Sequence, residues 1–179
     1  ISIILFLRRA RLLVVRELRV DPSGRLREHK AEDGPRDARV RVVHVEGPLF
    51  FGAAGELRDK LGAIAGDEVQ ALVVRLKRTQ GMDLTTATVF AAIAEGLTAQ
   101  GRHLVLVGMR PDAMGVLERS GAAARIGLDN LFPTRDGWFE AMDAGVRRAL
   151  VLAEAPQDSP LRTYLALRAE RRADRERGG

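Results

Sequence analysis

The sequence predicts an α/β domain, a mixed and mostly parallel β-sheet flanked by α-helices. Three observations carry that reading. Val40–Val45, Ala71–Leu76 and His103–Val107 are runs of apolar and β-branched residues, each apolar enough to be a strand buried on at least one face. Each run is followed by a stretch whose apolar residues recur at helical spacing. The order strand, helix, strand, helix, strand, helix, short strand, helix is the alternation that lays helices against a parallel sheet. With 179 residues, 46% of them hydrophobic, the chain is long enough to bury one sizeable core.

Taken in order, Ile1 to Leu7 is almost wholly apolar and Arg8, Arg9 and Arg11 follow. Seven residues are too few to cross a bilayer, which takes about twenty. Charge placed after the apolar run is the reverse of a signal peptide. Two readings stay open for this segment. One is the cytoplasmic end of a transmembrane helix, its arginines obeying the positive-inside rule. The other is an ordinary amphipathic helix from Ile4 to Val15. A chain that opens on Ile and not Met is expected to be a piece of a longer protein. Leu12 to Val20 is β-prone, and Asp21-Pro22-Ser23-Gly24 is a turn signal. Arg25 to Gly34 reads as a mobile connection or an edge strand. The strand from Val40 is expected to stop at the turn Glu46-Gly47-Pro48. Leu49, Phe50 and Phe51 then form a short apolar patch.

Ala53 to Ile64 has Leu57, Leu61 and Ile64 on one helical face. After the central strand, Arg78 to Met82 reads as a loop punctuated by Gly81. A helix opens at Asp83, with Val89, Phe90, Ile93 and Leu97 on one face and Gly101 as its C-terminal stop. Asp112 to Leu117 begins another helix after Pro111, closed by Gly121. Leu131-Phe132 reads as a last short strand. Trp138 to Leu152 reads as a long helix with Phe139, Met142, Val146, Leu150 and Val151 inward. Pro156 and Pro160 break the chain, and Leu161 to Arg177 reads as a charged amphipathic helix or a disordered tail. The domain organisation expected is the end of a preceding transmembrane helix or a juxtamembrane segment at 1–11, a linker and edge strand at 12–39, the folded domain at 40–155 and a basic tail at 156–179.

Asp83, Thr85 and Thr86 fall where a helix start exposes unpaired N–H groups and a positive dipole end. One reading is capping alone, worth about 1 kcal/mol. The other is a surface that receives an anion or a partner's acidic group.

Charge and composition exclude several classes. Residues 31–155 hold fifteen Arg or Lys against seventeen Asp or Glu, so the folded part is mildly acidic and the basic excess lies in the flanks. A nucleic-acid-binding domain places its basic charge on the folded part, and 4% aromatic residues offer no base-stacking platform. The chain has no cysteine, which removes disulfides and thiolate chemistry. His29, His44 and His103 lie in or beside predicted strands without metal-ligand spacing. Ser120 lacks a nucleophile elbow, and no Walker or dinucleotide glycine pattern occurs. No metal, cofactor or catalytic set is expected.

The stretch Glu46-Gly47-Pro48-Leu49-Phe50-Phe51-Gly52-Ala53 resembles a segment of the STAS domains of SulP anion transporters. Leu117-Glu118-Arg119-Ser120-Gly121, Ile126-Gly127 and Asn130-Leu131-Phe132-Pro133-Thr134 resemble that family's segment after the third strand. Met82-Asp83-Leu84-Thr85-Thr86-Ala87 falls where the family carries its signature at a helix start, and Ile1–Arg11 resembles the end of the membrane helix before the domain. The resemblance implies a STAS-like sheet and a partner or ligand contact at Leu49, Phe50, Phe51, Asp83, Thr85 and Thr86. In STAS domains that act as anti-sigma-factor antagonists, the residue after this Asp is a phosphorylated hydroxyl. Here it is Leu84, which takes no phosphate, and Thr86 stands where the signature has glycine.

The function implied is a non-enzymatic cytoplasmic regulatory and assembly domain of a secondary anion transporter of the sulfate, bicarbonate or dicarboxylate class. It would lie at the cytoplasmic face of a bacterial inner membrane, against the transmembrane domain of its own transporter or a second protomer. The alternative is a free-standing signalling module that binds a regulatory protein or a nucleotide.

Overall fold

The computed structural model describes residues 13–28, 36–134 and 139–177. Ile1–Arg11, His29 and Trp138 lie outside them, so the membrane-helix reading of the first eleven residues falls outside the described residues. Strands β1 (Val14–Val20) and β2 (Leu26–Glu28) form a hairpin over the predicted Asp21–Gly24 turn. There Asp21 Oδ1 accepts the Ser23 hydroxyl at 2.6 Å and the Arg25 N–H at 3.0 Å. Then follow β3 (Val40–Leu49), α1 (Phe51–Ala65), β4 (Ala71–Met82), α2 (Leu84–Thr98), β5 (His103–Met109), α3 (Pro111–Arg119) and α4 (Ala122–Ile126). A 3₁₀ turn at Leu128–Asn130 leads to β6 (Leu131–Pro133), and α5 (Glu140–Leu152) and α6 (Pro160–Arg177) complete the described chain.

The six strands make one sheet in the order β2-β1-β3-β4-β5-β6. β1 runs antiparallel to both neighbours, and β3, β4, β5 and β6 are mutually parallel. Alternate residues of the central strands supply two cores, as the two-residue period requires. Val43, Val45, Leu72, Val74, Leu104 and Leu106 face α1 to α4. Val40, Val42, Ala71, Val73, Val105 and Val107 face α5 and α6. The three strongly apolar runs are therefore covered on both faces, which is why they read as nearly continuous hydrophobic sequence.

Several elements differ from their expected form. β3 does not stop at Glu46-Gly47-Pro48 but continues to Leu49. Register shifts on either side of this segment absorb the proline, and Gly47 takes a φ of +107°. β4 likewise runs through the expected loop Arg78–Met82, because the extended end of β3 offers it a parallel partner, Leu49 opposite Met82. Gly121 ends α3 but is followed at once by α4. Phe139 and Val151 are exposed rather than inward, since the α5 face that meets the sheet is Met142, Val146, Ala149 and Leu150. The stretch after Pro160 is a helix, and it buries Leu161 and Tyr164 in the second core. Tyr164 fastens it to α5 by donating to Asp143 Oδ1 at 2.6 Å. Burial and this bond to a carboxylate push the Tyr164 phenol well above its ordinary range. Sheet and core thus extend on both sides of residues 40–155, through β1 and through α6.

Candidate functional site

The ends of β3 and β4 bring two helix starts side by side. Both strands finish at the same pole, with Leu49 in register with Met82. The next residue of each chain segment opens a helix, Phe50 before α1 and Asp83 before α2. The Asp83 N–H donates to the Leu49 carbonyl at 3.0 Å, so the two segments are tied at the backbone.

Asp83 then serves both helices. Its Oδ1 accepts the Thr86 N–H at 2.8 Å, the capping bond expected of an Asp at this position. Its Oδ2 accepts the Phe51 N–H at 2.5 Å, the first N–H of the neighbouring helix. α1 has no side-chain cap of its own at Phe50, so the Asp83 carboxylate stands in for one. Burial by itself raises the Asp83 carboxyl, but the N–H groups of Thr86 and Phe51 outweigh it and hold the group below its ordinary value of 3.8. With both oxygens engaged and the acid depressed, Asp83 is a structural anion at neutral pH and not a base poised to take a proton.

Around this clasp the sequence-chosen residues divide. Leu49 and Thr86 are buried; Leu49 packs into the first core. Phe50 is 37% exposed, and its ring lies over Gly52, where a Cβ would come within 2.8 Å of Phe50 Cε2. Phe51 is 74% exposed, and Thr85 is also exposed. The structure therefore brings Phe50, Phe51, Asp83 and Thr85 to one surface and withdraws Leu49 and Thr86 beneath it. Sequence reasoning did not place Leu84 among the contact residues, yet it is 63% exposed beside them. Its spacing continues the buried stripe Ala87, Ala91 and Ala94, but it sits in the first turn, beyond the end of β4, where no sheet remains to cover it.

Other polar side chains near the strands and helix ends have local roles. His44 is buried in β3 with Nε2 3.0 Å from Glu46 Oε1. The Ser120 hydroxyl donates to the Leu117 carbonyl at 3.1 Å at the end of α3. Glu68 takes the guanidinium of buried Arg41 at 3.1 Å. Among the described residues no group of three His, Asp or Glu could hold a metal ion. No described helix is long and apolar enough to cross a membrane.

Comparison with known proteins places this architecture. The model of the STAS domain matches residues 34–137. A putative sulfate transporter of Bacillus subtilis (strain 168), YvdB, is 25% identical over 119 residues, covering 64% of this chain and 22% of that protein. The structure of a murine Solute Carrier 26 family anion transporter in the inward-facing state superimposes with a TM-score of 0.66 at 18% identity, over 84% of this chain and 24% of that one. An anti-sigma factor antagonist from Mycobacterium paratuberculosis superimposes with a TM-score of 0.52 at 20% identity, over 80% of this chain and 95% of that one. The chain thus spans less than a quarter of the length of either transporter. The two structural likenesses speak for the fold, and the family model, which covers more than half of the sequence, shows that this chain belongs to the STAS domain family.

Proposed function

We propose that this chain is the cytoplasmic regulatory and assembly domain of a SulP-type secondary anion transporter. It works by contact and not by catalysis. Leu84 carries the reading. It stands exposed where a phospho-switched STAS domain needs a hydroxyl, so the surface around Asp83 is permanently apolar and held in one shape by two hydrogen bonds. A permanent apolar surface fits a constitutive contact within one assembly. The transmembrane part of the same transporter, or a second protomer on the cytoplasmic face of the bacterial inner membrane, meets that need. The sequence relationship to a protein named a putative sulfate transporter supports it and makes sulfate the first anion to assay.

The second reading is a free-standing signalling module of the anti-sigma-factor-antagonist type that binds a regulatory protein or a nucleotide. The shared fold and the 95% coverage of one such protein favour it, and Leu84 counts against its usual switch. The gene separates the two: the transporter reading expects ten or more hydrophobic spans encoded upstream of Ile1, and an open reading frame without them leaves the signalling module. In the full-length protein, Thr85→Glu is expected to leave the domain folded and to impair anion uptake. Normal uptake at unchanged expression would remove the contact and leave Asp83 as a cap alone.

A further inference from the structure

We propose that the outer edge of the sheet carries a binding site for a small organic cation with an apolar body, set between β6, the 3₁₀ turn before it and α5. A cavity of about 410 Å³ opens there, within the roughly 300–1,000 Å³ of small-molecule sites. The 3₁₀ turn contributes Leu128 and Asp129 to its lining, and β6 contributes Leu131 and Phe132. The cavity originates in how α5 packs. A Cβ at Gly145 would lie 2.1 Å from Val107 Cγ1, so the helix rests closely on β5. Toward β6, the last strand of the sheet, it presents Ala141 and Ala144, whose short side chains leave space unfilled.

The walls are braced against each other. Arg148 Nε of α5 donates to Asn130 Oδ1 in the 3₁₀ turn at 3.1 Å, and Asn130 Nδ2 donates to the Ile126 carbonyl at 3.1 Å. Leu128 lines this braced space while 67% exposed. The β6 edge itself is closed to an added strand. The Thr134 N–H donates to the Met109 carbonyl at 2.8 Å, so alternation along the strand turns the backbone of Leu131 and Pro133 outward. The Leu131 N–H is bonded to the Leu128 carbonyl, and Pro133 has no N–H to give. An extended peptide finds no backbone donor on this edge.

The charged side chains of the lining are acceptors. Asp129 and Glu140 supply carboxylates, and no Lys, Arg or His is among the described residues that line the cavity. Arg148, one turn on from Ala144, is turned to Asn130. Among the described residues Asp129 has no ion-pair partner. Glu140 meets Arg172 at 3.4 Å, but both side chains are more than half exposed, and such a pair is weak enough to yield to a bound cation. Apolar walls with negative charge and no donor call for a ligand that brings an apolar body, its own donors and a positive charge.

The test is calorimetric titration of the full chain with 4-phenylbutylamine, beside 4-phenylbutanol and 4-phenylbutyrate, which keep the apolar body without the positive charge. The amine is expected to bind, the alcohol about tenfold more weakly and the carboxylate not at all. Asp129→Asn is expected to weaken the amine about three- to fivefold, and Asp67→Asn, an exposed acid outside the cavity, to bind it as the parent does. Ala144→Leu, which fills the cavity, is expected to abolish binding. Circular dichroism melting checks that the variants stay folded; should Ala144→Leu unfold, Leu128→Gln replaces it, with an expected loss of about tenfold. Failure of the amine to bind, equal binding of amine and alcohol, unchanged binding by Asp129→Asn, an equal loss in Asp67→Asn, or undiminished binding by the folded Ala144 or Leu128 variant overturns the proposal. So does a tetrapeptide Ala-Leu-Arg-Ala that binds there more tightly than the amine, which would make the cavity a docking surface for a protein. No lining residue belongs to the Asp83 surface and no transport is measured, so this site and the contact proposed above can fail independently.

Discussion

Replacing Asp83 with Ala removes two hydrogen bonds from two different helices, and that doubles the effect expected of an ordinary cap. The bond to the Thr86 N–H at 2.8 Å is an N-terminal cap, whose loss costs about 1 kcal/mol. The bond to the Phe51 N–H at 2.5 Å is charge-assisted. Bonds of that kind carry about 1.5–3 kcal/mol when well buried, and a half-exposed carboxylate keeps about 1 kcal/mol of it. The expected loss is therefore about 2 kcal/mol, a fall in melting temperature of about 4–8 °C for a chain of this size. Asp83→Asn, with a single acceptor oxygen, is expected to lose about half as much. Acid supplies a second signature. The folded carboxyl lies below 3.8, its ordinary value. Its contribution is complete above that pH and is lost as the pH falls through the lower folded value. The stability gap between the parent and Asp83→Asn should accordingly be constant from neutral pH down to about 4 and close below it. Thermal unfolding of the three proteins across this range is the assay. An Asp83→Ala protein that melts within a degree of the parent, or a gap that persists undiminished at pH 2.5, would refute the double-clasp reasoning.

Two further outcomes concern the layers that hold this site in place. A Cβ at Gly145 would lie 2.1 Å from Val107 Cγ1 and 3.5 Å from Phe132 Cδ2. Gly145→Ala should therefore cost about 1–3 kcal/mol by overpacking, despite the better helix propensity of alanine. Gly62→Ala in α1, with nothing within 4 Å, should gain about 0.5–1 kcal/mol. Urea unfolding compares the two, and similar midpoints would show that α5 has room to shift. A chain ended at Ala155 loses Leu161 and Tyr164 from the second core, uncovering Leu18, Val40 and Val42. At about 2 kcal/mol for each large side chain, this is a substantial part of the stability of a typical domain, and cooperative melting should be lost or displaced by more than 10 °C. Melting near the parent temperature would make α6 an accessory.

What the residues disclosed and what they withheld follows from the range of the forces involved. The three buried strands, the helix starts and the Asp21–Gly24 turn rest on contacts between near neighbours, and periodicity and turn chemistry report such contacts. The extensions of β3 through Pro48 and of β4 through Gly81 rest on each other: neither segment is strand-like alone, and they stay extended because Leu49 meets Met82 across the ladder. A proline and a glycine speak locally for a turn, and a parallel partner overrules them. Helical spacing points Phe139 and Val151 inward, yet both are exposed, because spacing gives the direction of a face but not the width of what covers it. The site divides along the same line. That Asp83 caps its own helix is visible in the succession of strand, Asp and helix. That it also caps α1, thirty-two positions away, is visible only once β3 and β4 are adjacent, parallel and in register. In a parallel sheet the helices after neighbouring strands begin at the same end, so a single carboxylate there can satisfy donors from both. Asp83 is thus a measure of topology as much as of local sequence. A variant that slips the β3–β4 register would break the Phe51 bond while leaving the Thr86 bond intact, because the first depends on the ladder and the second only on the helix.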